Sequence, residues 1–227
     1  MWIYHILNNM NNKVLSLLIF FFLHAICFAQ NNSTVDVVDL GLTVKWATCN
    51  IGASSPEEYG EYYSWGEVSP KHYYYYNTYK WCKGESMTII KYCSYPSYGD
   101  NSFSDGETIL HYSDDVAYLK YKMRIPTKAE WEELITYCTW MWSSLNGVTG
   151  YKVKSNVPGY TNKWIFIPAS GYYLMGELHV SKEMGYYWSS VIGSVPDYAS
   201  TLGFTMSKVH MENSLRIYGC AIRPDID

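Results

Sequence analysis

A run of tyrosines is the group of residues in this sequence whose side chains are best suited to binding a ligand. The run and the two aromatic residues that follow it are Tyr73, Tyr74, Tyr75, Tyr76, Tyr79 and Trp81. Aromatic rings pack on the apolar faces of sugar rings and are enriched at protein recognition surfaces. Four successive side chains of an extended segment cannot all face one core. We therefore expect a ligand-binding surface here, joined by Tyr186, Tyr187 and Trp188 if the turn at Gly185 lies nearby. The alternative is that these rings cover a loop-rich core.

The titratable residues form no recognisable catalytic motif. The histidines after residue 29 are scattered, without H-x-x-x-H or H-E-x-x-H spacing; they are His72, His111, His179 and His210. The adjacent pairs Glu57–Glu58 and Glu132–Glu133 are expected on helices, where neighbouring side chains point in different directions and cannot flank one bond. The sequence therefore predicts a protein that is not an enzyme and has no catalytic residues.

Oxygen-bearing side chains between Asp100 and Glu107 are of the type that binds Ca²⁺. Their spacing departs from the EF-hand pattern, because Phe103 occupies a ligand position when the Asp-Gly pair is aligned. Asp114 and Asp115 are accounted for as acids at the start of a helix. We therefore predict a solvated turn and no cofactor, with a structural Ca²⁺ as the alternative.

The cysteines that follow residue 29 are odd in number; they are Cys49, Cys82, Cys93, Cys138 and Cys220. At least one thiol is therefore free or bridges to another chain. The C-x-x-C pairs typical of zinc sites do not occur. Cys82 and Cys93 are near enough in sequence for a disulfide that closes a loop, and Cys138 is expected as a buried thiol on a helix.

The elements that position these residues begin with a helix from Lys128 to Tyr137. Thr127 and Glu130 form a capping box, in which each side chain satisfies a backbone N–H group of the first turn. One apolar stripe follows at helical spacing; it consists of Trp131, Leu134, Ile135 and Cys138.

Two shorter helices are predicted upstream. One covers Val116 to Tyr121 and starts at Ser113 or Asp114. The other starts with Ser55 as its N-cap and Pro56 at its first position. The chain between residues 62 and 112 is expected to be irregular, because it is dense in Tyr, Ser, Gly and Asp.

Short strands separated by glycine turns make up most of the rest. They are expected at Val37–Ala47, Tyr151–Ser155, Lys163–Ile167, Tyr186–Ser190, Leu202–Met206 and Cys220–Arg223. The sequence therefore predicts an α+β fold with mostly antiparallel strands and long loops, in one domain.

Composition excludes several classes of protein. The 227 residues include 24 Tyr and 9 Trp, whereas charged residues make up only 17% of the chain, against a usual fraction of about 25%. A disordered chain would show the opposite balance. The net charge of −4 lacks the basic surface that nucleic acids require.

An apolar run, preceded by Lys13, ends at Ala29 in the pattern of a secretory signal peptide. We predict cleavage after Ala29, and translation from Met10 would already supply a complete signal. The run is short for a transmembrane anchor and is followed by polar residues. Ile26 is too large for the position before a lipid-modified Cys27.

Five segments of the chain carry a family resemblance. They are residues 38–53 (VDLGLTVKWATCNIGA), 59–67 (YGEYYSWGE), 123–134 (MRIPTKAEWEEL), 185–190 (GYYWSS) and 221–224 (AIRP). In this order they resemble the Fibrobacter succinogenes major paralogous domain, which implies an exported, often surface-associated bacterial protein. More distantly, residues 114–134 resemble formylglycine-generating enzymes, which implies their variant of the C-type lectin fold.

The residues that give those relatives their chemistry are not matched. Formylglycine-generating enzymes bind copper through two nearby cysteines close to the C-terminus, whereas this region holds only Cys220. Calcium-dependent lectins use Glu-Pro-Asn or Gln-Pro-Asp with a Trp-Asn-Asp strand, whereas only Val195-Pro196-Asp197 occurs here. The resemblance thus implies the fold without these two mechanisms.

Residues 1–29 are therefore predicted to be a signal peptide, and residues 30–227 one exported domain with no membrane span. We expect this domain to be a non-catalytic binding protein of the periplasm, the cell surface or the medium, which recognises a glycan or a surface protein and no nucleic acid. The alternatives are an enzyme that uses the same scaffold for different chemistry and a structural subunit cross-linked through the odd cysteine.

Overall fold

The structure is a computed structural model that describes residues Val35–Asp227. The predicted signal peptide, residues 1–29, and the alternative start at Met10 lie outside the described residues. None of the helices in Val35–Asp227 has the length and apolar character needed to cross a membrane.

Within the described residues the chain forms two α-helices and eleven strands. They are β1 Val37–Val38, β2 Lys45–Ala47, α1 Val116–Tyr121, α2 Lys128–Tyr137, β3 Cys138–Leu145, β4 Val148–Ser155, β5 Trp164–Pro168, β6 Tyr172–Leu174, β7 Glu177–His179, β8 Met184–Ile192, β9 Tyr198–Thr205, β10 Lys208–Leu215 and β11 Asp225–Ile226. The strands pair antiparallel in small sheets, ordered β1-β2-β11, β3-β4-β5, β6-β7 and β8-β9-β10. The predicted α+β class with mostly antiparallel strands is thus confirmed.

Helix α2 is confirmed at its predicted bounds. The Thr127 hydroxyl accepts from the Glu130 backbone N–H at 3.3 Å, and the Glu130 carboxylate accepts from the Thr127 N–H at 2.6 Å. Trp131 and Leu134 are buried in the main hydrophobic core, beside Trp46. Local signals that agree with one another explain why this element could be predicted.

Helix α1 has its predicted length but a different cap. The Asp115 carboxylate, and not Ser113 or Asp114, accepts from the first backbone N–H groups of the helix. Asp114 is unavailable for capping because its carboxylate binds the Lys91 ammonium at 2.5 Å and the Tyr92 hydroxyl at 2.6 Å. The prediction that both acids serve the helix N-terminus is therefore wrong for Asp114.

The short helix predicted at Ser55 does not form. One backbone bond, from Glu58 N–H to the Ser55 carbonyl at 3.2 Å, makes a single turn around Pro56. The chain then turns back, and Glu61 N–H donates to the Ile51 carbonyl at 2.8 Å. Closing this loop leaves too few residues for a stable helix.

Two predicted strands are also different in the structure. The segment Val37–Ala47 is divided into β1 and β2 by a turn at Gly41, whose φ is +74°. The segment Cys220–Arg223 makes only isolated bridges, with Tyr63 and Tyr187. Strands β4, β5, β8 and β9 lie where they were predicted, whereas β3, β6, β7 and β10 were not predicted.

Aromatic polar groups satisfy backbone carbonyls where the chain is irregular. The Tyr79 hydroxyl donates to the Trp65 carbonyl at 2.8 Å, and the Trp188 indole N–H donates to the Tyr63 carbonyl at 2.6 Å. The residues that donate to a carbonyl in this way include Tyr62, Tyr74, Tyr79, Tyr187, Trp65, Trp81, Trp131 and Trp188. A buried carbonyl without a partner is costly, so part of the aromatic excess stabilises loop backbone.

A buried arginine fixes the irregular segment between residues 62 and 112 to the rest of the domain. The Arg216 guanidinium, 1% exposed, donates to the Tyr79 hydroxyl at 2.8 Å. It also donates to the carbonyls of Tyr92, Pro196 and Lys91 at 3.1, 2.9 and 3.1 Å. Arg216 is therefore one of the contacts that tie the loop carrying the tyrosine run to the fold, together with backbone bonds such as that from Met175 N–H to the Tyr74 carbonyl at 3.0 Å.

Candidate functional site

The six aromatic residues predicted to form a binding surface have different environments. Tyr73 is exposed, Tyr75, Tyr76 and Trp81 are half-buried, and Tyr74 and Tyr79 are buried. Tyr75 has extended backbone angles, and a 3-10 turn follows at Tyr76–Thr78. The side chains of the run therefore do not all face one core, and the surface that they offer is smaller than six rings.

Tyr79 is a core residue. Its hydroxyl donates to the Trp65 carbonyl and accepts from Arg216, and burial raises its pKa. Tyr79 therefore holds the loop in place and offers no ring face to a ligand.

Trp81 is engaged by neighbouring charges. The ammonium groups of Lys80 and Lys91 lie 4.0 and 4.6 Å from the centre of its ring, and its indole N–H donates to the Gly66 carbonyl at 2.8 Å. Cation–π contacts of this kind favour a fixed ring. Trp81 thus belongs to the support of the loop and is half-buried.

Tyr75 and Tyr76 pack edge to face, with ring centres 5.5 Å apart. Both lie against a small hydrophobic cluster that contains Cys82, Cys93 and Ile217. Burial raises the pKa of Tyr76 to about 12. Their remaining exposed area is the outer surface of this cluster.

A concave site lies beside Tyr73, and we call it the tyrosine hollow. It has a volume of about 360 Å³ and is lined by Tyr62, Pro70, Lys71, His72, Tyr74, Tyr173 and Gly176. Tyr73 borders it, because a Cβ atom at Gly176 would lie 3.6 Å from the Tyr73 ring. Small-molecule sites commonly have volumes of about 300–1,000 Å³. The hollow therefore has the size of a site for one small ligand or one sugar residue.

Three of the residues that line the tyrosine hollow are tyrosines whose rings pack against one another. The rings of Tyr62 and Tyr173 meet edge to face at 4.8 Å, and the Tyr74 ring lies 5.8 Å from Tyr173. The Tyr62 hydroxyl donates to the Ser170 carbonyl at 2.5 Å, and the Tyr74 hydroxyl donates to the Tyr62 carbonyl at 2.6 Å. These bonds hold two of the three rings in fixed orientations.

The charge of Lys71 in the hollow is partly neutralised. Its ammonium lies 2.6 Å from the Glu67 carboxylate and donates to the Thr78 carbonyl at 2.9 Å. Burial lowers the pKa of Lys71, and the Glu67 carboxylate opposes that effect. Burial also raises the pKa of Tyr74 to about 12, so this hydroxyl stays neutral. The hollow therefore favours a neutral, polar ligand with an apolar face.

The residues that sequence reasoning missed here are Tyr62, Pro70, Lys71, His72 and Tyr173. They come from segments far apart in sequence, joined by bonds such as that from Tyr173 N–H to the Gly219 carbonyl at 2.8 Å. Only His72 and Lys71, which immediately precede the tyrosine run, carried a local signal.

The residues expected to extend the surface from Gly185 lie elsewhere. Gly185 is inside β8, where no turn occurs. Tyr187 and Trp188 are fully buried, so that interpretation is wrong for both. Tyr186 is half-buried against Tyr172 at 5.1 Å.

The thiols of the described residues are all unpaired, so the disulfide considered between Cys82 and Cys93 does not form. Burial raises the pKa of Cys138 to about 11 and raises that of Cys220. Cys138 is the first residue of β3, directly after α2. The burial of these thiols does not favour thiolate chemistry at either position.

The Asp100–Glu107 segment is a turn stabilised by its own carboxylate. Asp105 accepts from the backbone N–H groups of Tyr92, Cys93 and Glu107 at 2.7, 2.8 and 3.1 Å. Within residues 35–227 no group of three or more His, Cys, Asp or Glu side chains is arranged to hold a metal ion.

Comparisons of the chain with protein-family models, with curated proteins and with solved structures find no match.

Proposed function

We propose that this protein is an exported, non-catalytic binding domain of the bacterial cell envelope that recognises a glycan through the tyrosine hollow. The observation that carries the proposal is a concave site of about 360 Å³ that is lined by Tyr62, Tyr74 and Tyr173 and bordered by the exposed ring of Tyr73. Sugar rings offer an apolar face for such rings and hydroxyl groups for the surrounding polar atoms.

Unengaged polar groups at the rim support this ligand class. Within residues 35–227, the His72 side chain and the Tyr173 hydroxyl have no hydrogen-bond partner, and both residues line the hollow. His72 can donate and accept, and so can a tyrosine hydroxyl. They suit the hydroxyl groups of a neutral sugar better than a single strong charge.

The sequence supports export and a C-type lectin-like scaffold for this site. The N-terminal apolar run is typical of a signal peptide. Two of the five family-like segments contribute residues described above. Residues 59–67 contain Tyr62, and residues 123–134 contain Trp131, which belongs to α2 and is buried in the main hydrophobic core. The chain has an α+β architecture with small antiparallel sheets, which is the general class to which that scaffold belongs.

The proposal is tested by screening the full chain on a glycan array and measuring the affinity for the best ligand by calorimetry. We expect Tyr73→Ala, His72→Ala and Tyr173→Phe each to weaken binding, with a loss of about tenfold for Tyr73→Ala because it removes an aromatic contact. Tyr95→Ala is the matched control, since Tyr95 is 52% exposed and does not line the hollow.

Two results would contradict this function. A blank array, with saturable binding to a surface protein instead, would replace the glycan by a protein ligand. Equal glycan affinity in the wild type and all three hollow variants would show that the ligand binds elsewhere.

A further inference from the structure

A second cavity, formed by different elements from those of the tyrosine hollow, has side chains arranged for a ligand. It has a volume of about 400 Å³ and lies between the turn at Gly41, the last turns of α2 and the segment that follows β4. Its lining includes Leu42, Glu133, Tyr137, Asn156 and Pro158. We call it the α2–β4 cavity.

The carboxylate in this cavity is held in place by neutral donors. The Thr43 hydroxyl donates to Glu133 at 2.6 Å, and the Thr43 backbone N–H lies 3.2 Å from both carboxylate oxygens. None of these donors carries a charge, so the negative charge of Glu133 is not cancelled. A carboxylate has about four acceptor sites, so Glu133 can accept further hydrogen bonds from a ligand.

The carboxamide of Asn156 is oriented by the same kind of contact. The Thr139 hydroxyl donates to Asn156 Oδ1 at 2.8 Å, and Asn156 N–H donates to the Tyr137 carbonyl at 3.0 Å. With Oδ1 occupied, the Nδ2 group is left as a donor that has no partner within residues 35–227. The cavity thus combines an oriented acceptor, Glu133, with an oriented donor, Asn156.

An apolar wall completes the site. Tyr137 is 54% exposed, and Leu42, Val157 and Pro158 supply aliphatic surface. The turn at Gly41 is restricted to glycine, because φ is +74° and a Cβ atom would lie 2.5 Å from the Tyr160 ring. The close contact between Gly41 and the Tyr160 ring holds the neighbouring residue Leu42 in its place in the cavity lining.

We propose that the α2–β4 cavity is a second, independent binding site for a neutral sugar residue. One ligand hydroxyl donates to the Glu133 carboxylate, a neighbouring hydroxyl accepts from Asn156 Nδ2, and the apolar face of the sugar ring packs on Tyr137. The Glu133 carboxylate disfavours anionic sugars by charge repulsion. The site lies outside the proposed function, since none of its residues lines the tyrosine hollow.

The test is an NMR titration of the ¹⁵N-labelled full chain with methyl glycosides of glucose, galactose, mannose and N-acetylglucosamine, and with methyl glucuronide as the anionic counterpart. We expect at least one neutral glycoside to shift the backbone amides of Tyr137, Asn156 and Val157. Methyl glucuronide should bind more weakly than methyl glucoside.

Two variants connect the shifts to the proposed contacts. Asn156→Asp keeps the oxygen that binds Thr139 but removes the donor, so affinity should fall about tenfold, as expected for the loss of a hydrogen bond to a ligand. Tyr137→Ala should reduce it similarly through loss of ring contact. His72→Ala, in the tyrosine hollow, is the control and should leave these shifts unchanged.

The proposal is overturned if no glycoside shifts these amides, or if Asn156→Asp and Tyr137→Ala both bind as the wild type does. Shifts at this cavity that disappear with His72→Ala would also contradict it, because the two sites would then not be independent. If glycan binding were absent only at the tyrosine hollow, the proposed function would be contradicted, whereas the proposal of a site in the α2–β4 cavity would still be supported.

Discussion

Asp225 is the buried acid whose replacement should change the pH dependence of folding most clearly. It lies in β11, is 0% exposed, and neither of its carboxylate oxygens has a hydrogen-bond partner. The Arg124 guanidinium is 3.3 Å away, but it also binds Glu130 and Asp227 at 2.8 and 2.6 Å. Because Arg124 is shared with these two other carboxylates, its attraction does not offset the cost of burying a charge on Asp225. Burial raises the pKa of Asp225 to about 8, and repulsion from the Glu130 carboxylate also raises it.

The sign and size of the effect follow from this shift. The pKa is raised above the ordinary value of 3.8, so the folded state holds a proton on Asp225 that the unfolded chain has lost. The free energy of unfolding therefore falls as pH rises from about 4 to about 8, by up to about 1.4 kcal/mol per pH unit. Over the whole window, the loss is roughly 5 kcal/mol.

Asp225→Asn removes the ionisation while keeping the shape of the side chain. We expect the variant and the wild type to have similar stability near pH 4, and the variant to be more stable by several kcal/mol at pH 8. Urea unfolding, followed by tryptophan fluorescence, measures the free energy of unfolding of both proteins at a series of pH values. The contributions of the other titrating groups cancel when the wild-type value is subtracted from that of the variant. Asp227→Asn is the control, because Asp227 binds the same arginine but its side chain is 88% exposed. The reasoning fails if Asp225→Asn has the same slope as the wild type between pH 5 and pH 8.

Three further predictions concern the scaffold and its thiols. Arg216→Met should lower the free energy of unfolding by about 3–5 kcal/mol, because four acceptors lose their buried partner; a urea-unfolding change below about 1 kcal/mol would contradict this. Thr127→Ala should cost about 1 kcal/mol through loss of the α2 cap, with exposed Thr136→Ala as the control in the same unfolding measurement. A thiol reagent should modify half-buried Cys49 first, and the other four only as the protein unfolds; mass spectrometry that finds equal labelling of all five in the native state would refute the burial.

Helix α2 and the irregular segment between residues 62 and 112 could be predicted because their signals are local. Thr127, Glu130 and the apolar stripe all lie within about three helical turns of one another, and each favours the same conformation. Strand β3 was missed because it follows α2 without a glycine or proline between them. Cys138 fits the phase of the helix stripe, so the change to extended backbone has no marker in the sequence.

The tyrosine hollow could be predicted only in part. The run from Tyr73 to Tyr76 indicates the loop that lines the hollow, but the direction of each ring depends on distant partners. Tyr74 turns inward because its hydroxyl reaches the Tyr62 carbonyl, and Tyr173 arrives from β6. Such contacts between distant segments leave no periodic pattern in the sequence.

The free thiols described above bear on where this domain can mature. Many small exported domains reach their native state only when disulfides form, and so they depend on an oxidising compartment. Here residues 35–227 close around aromatic clusters and a buried arginine, without any covalent cross-link. The described part of the chain is therefore held by ring packing and by hydrogen bonds to side chains such as Arg216.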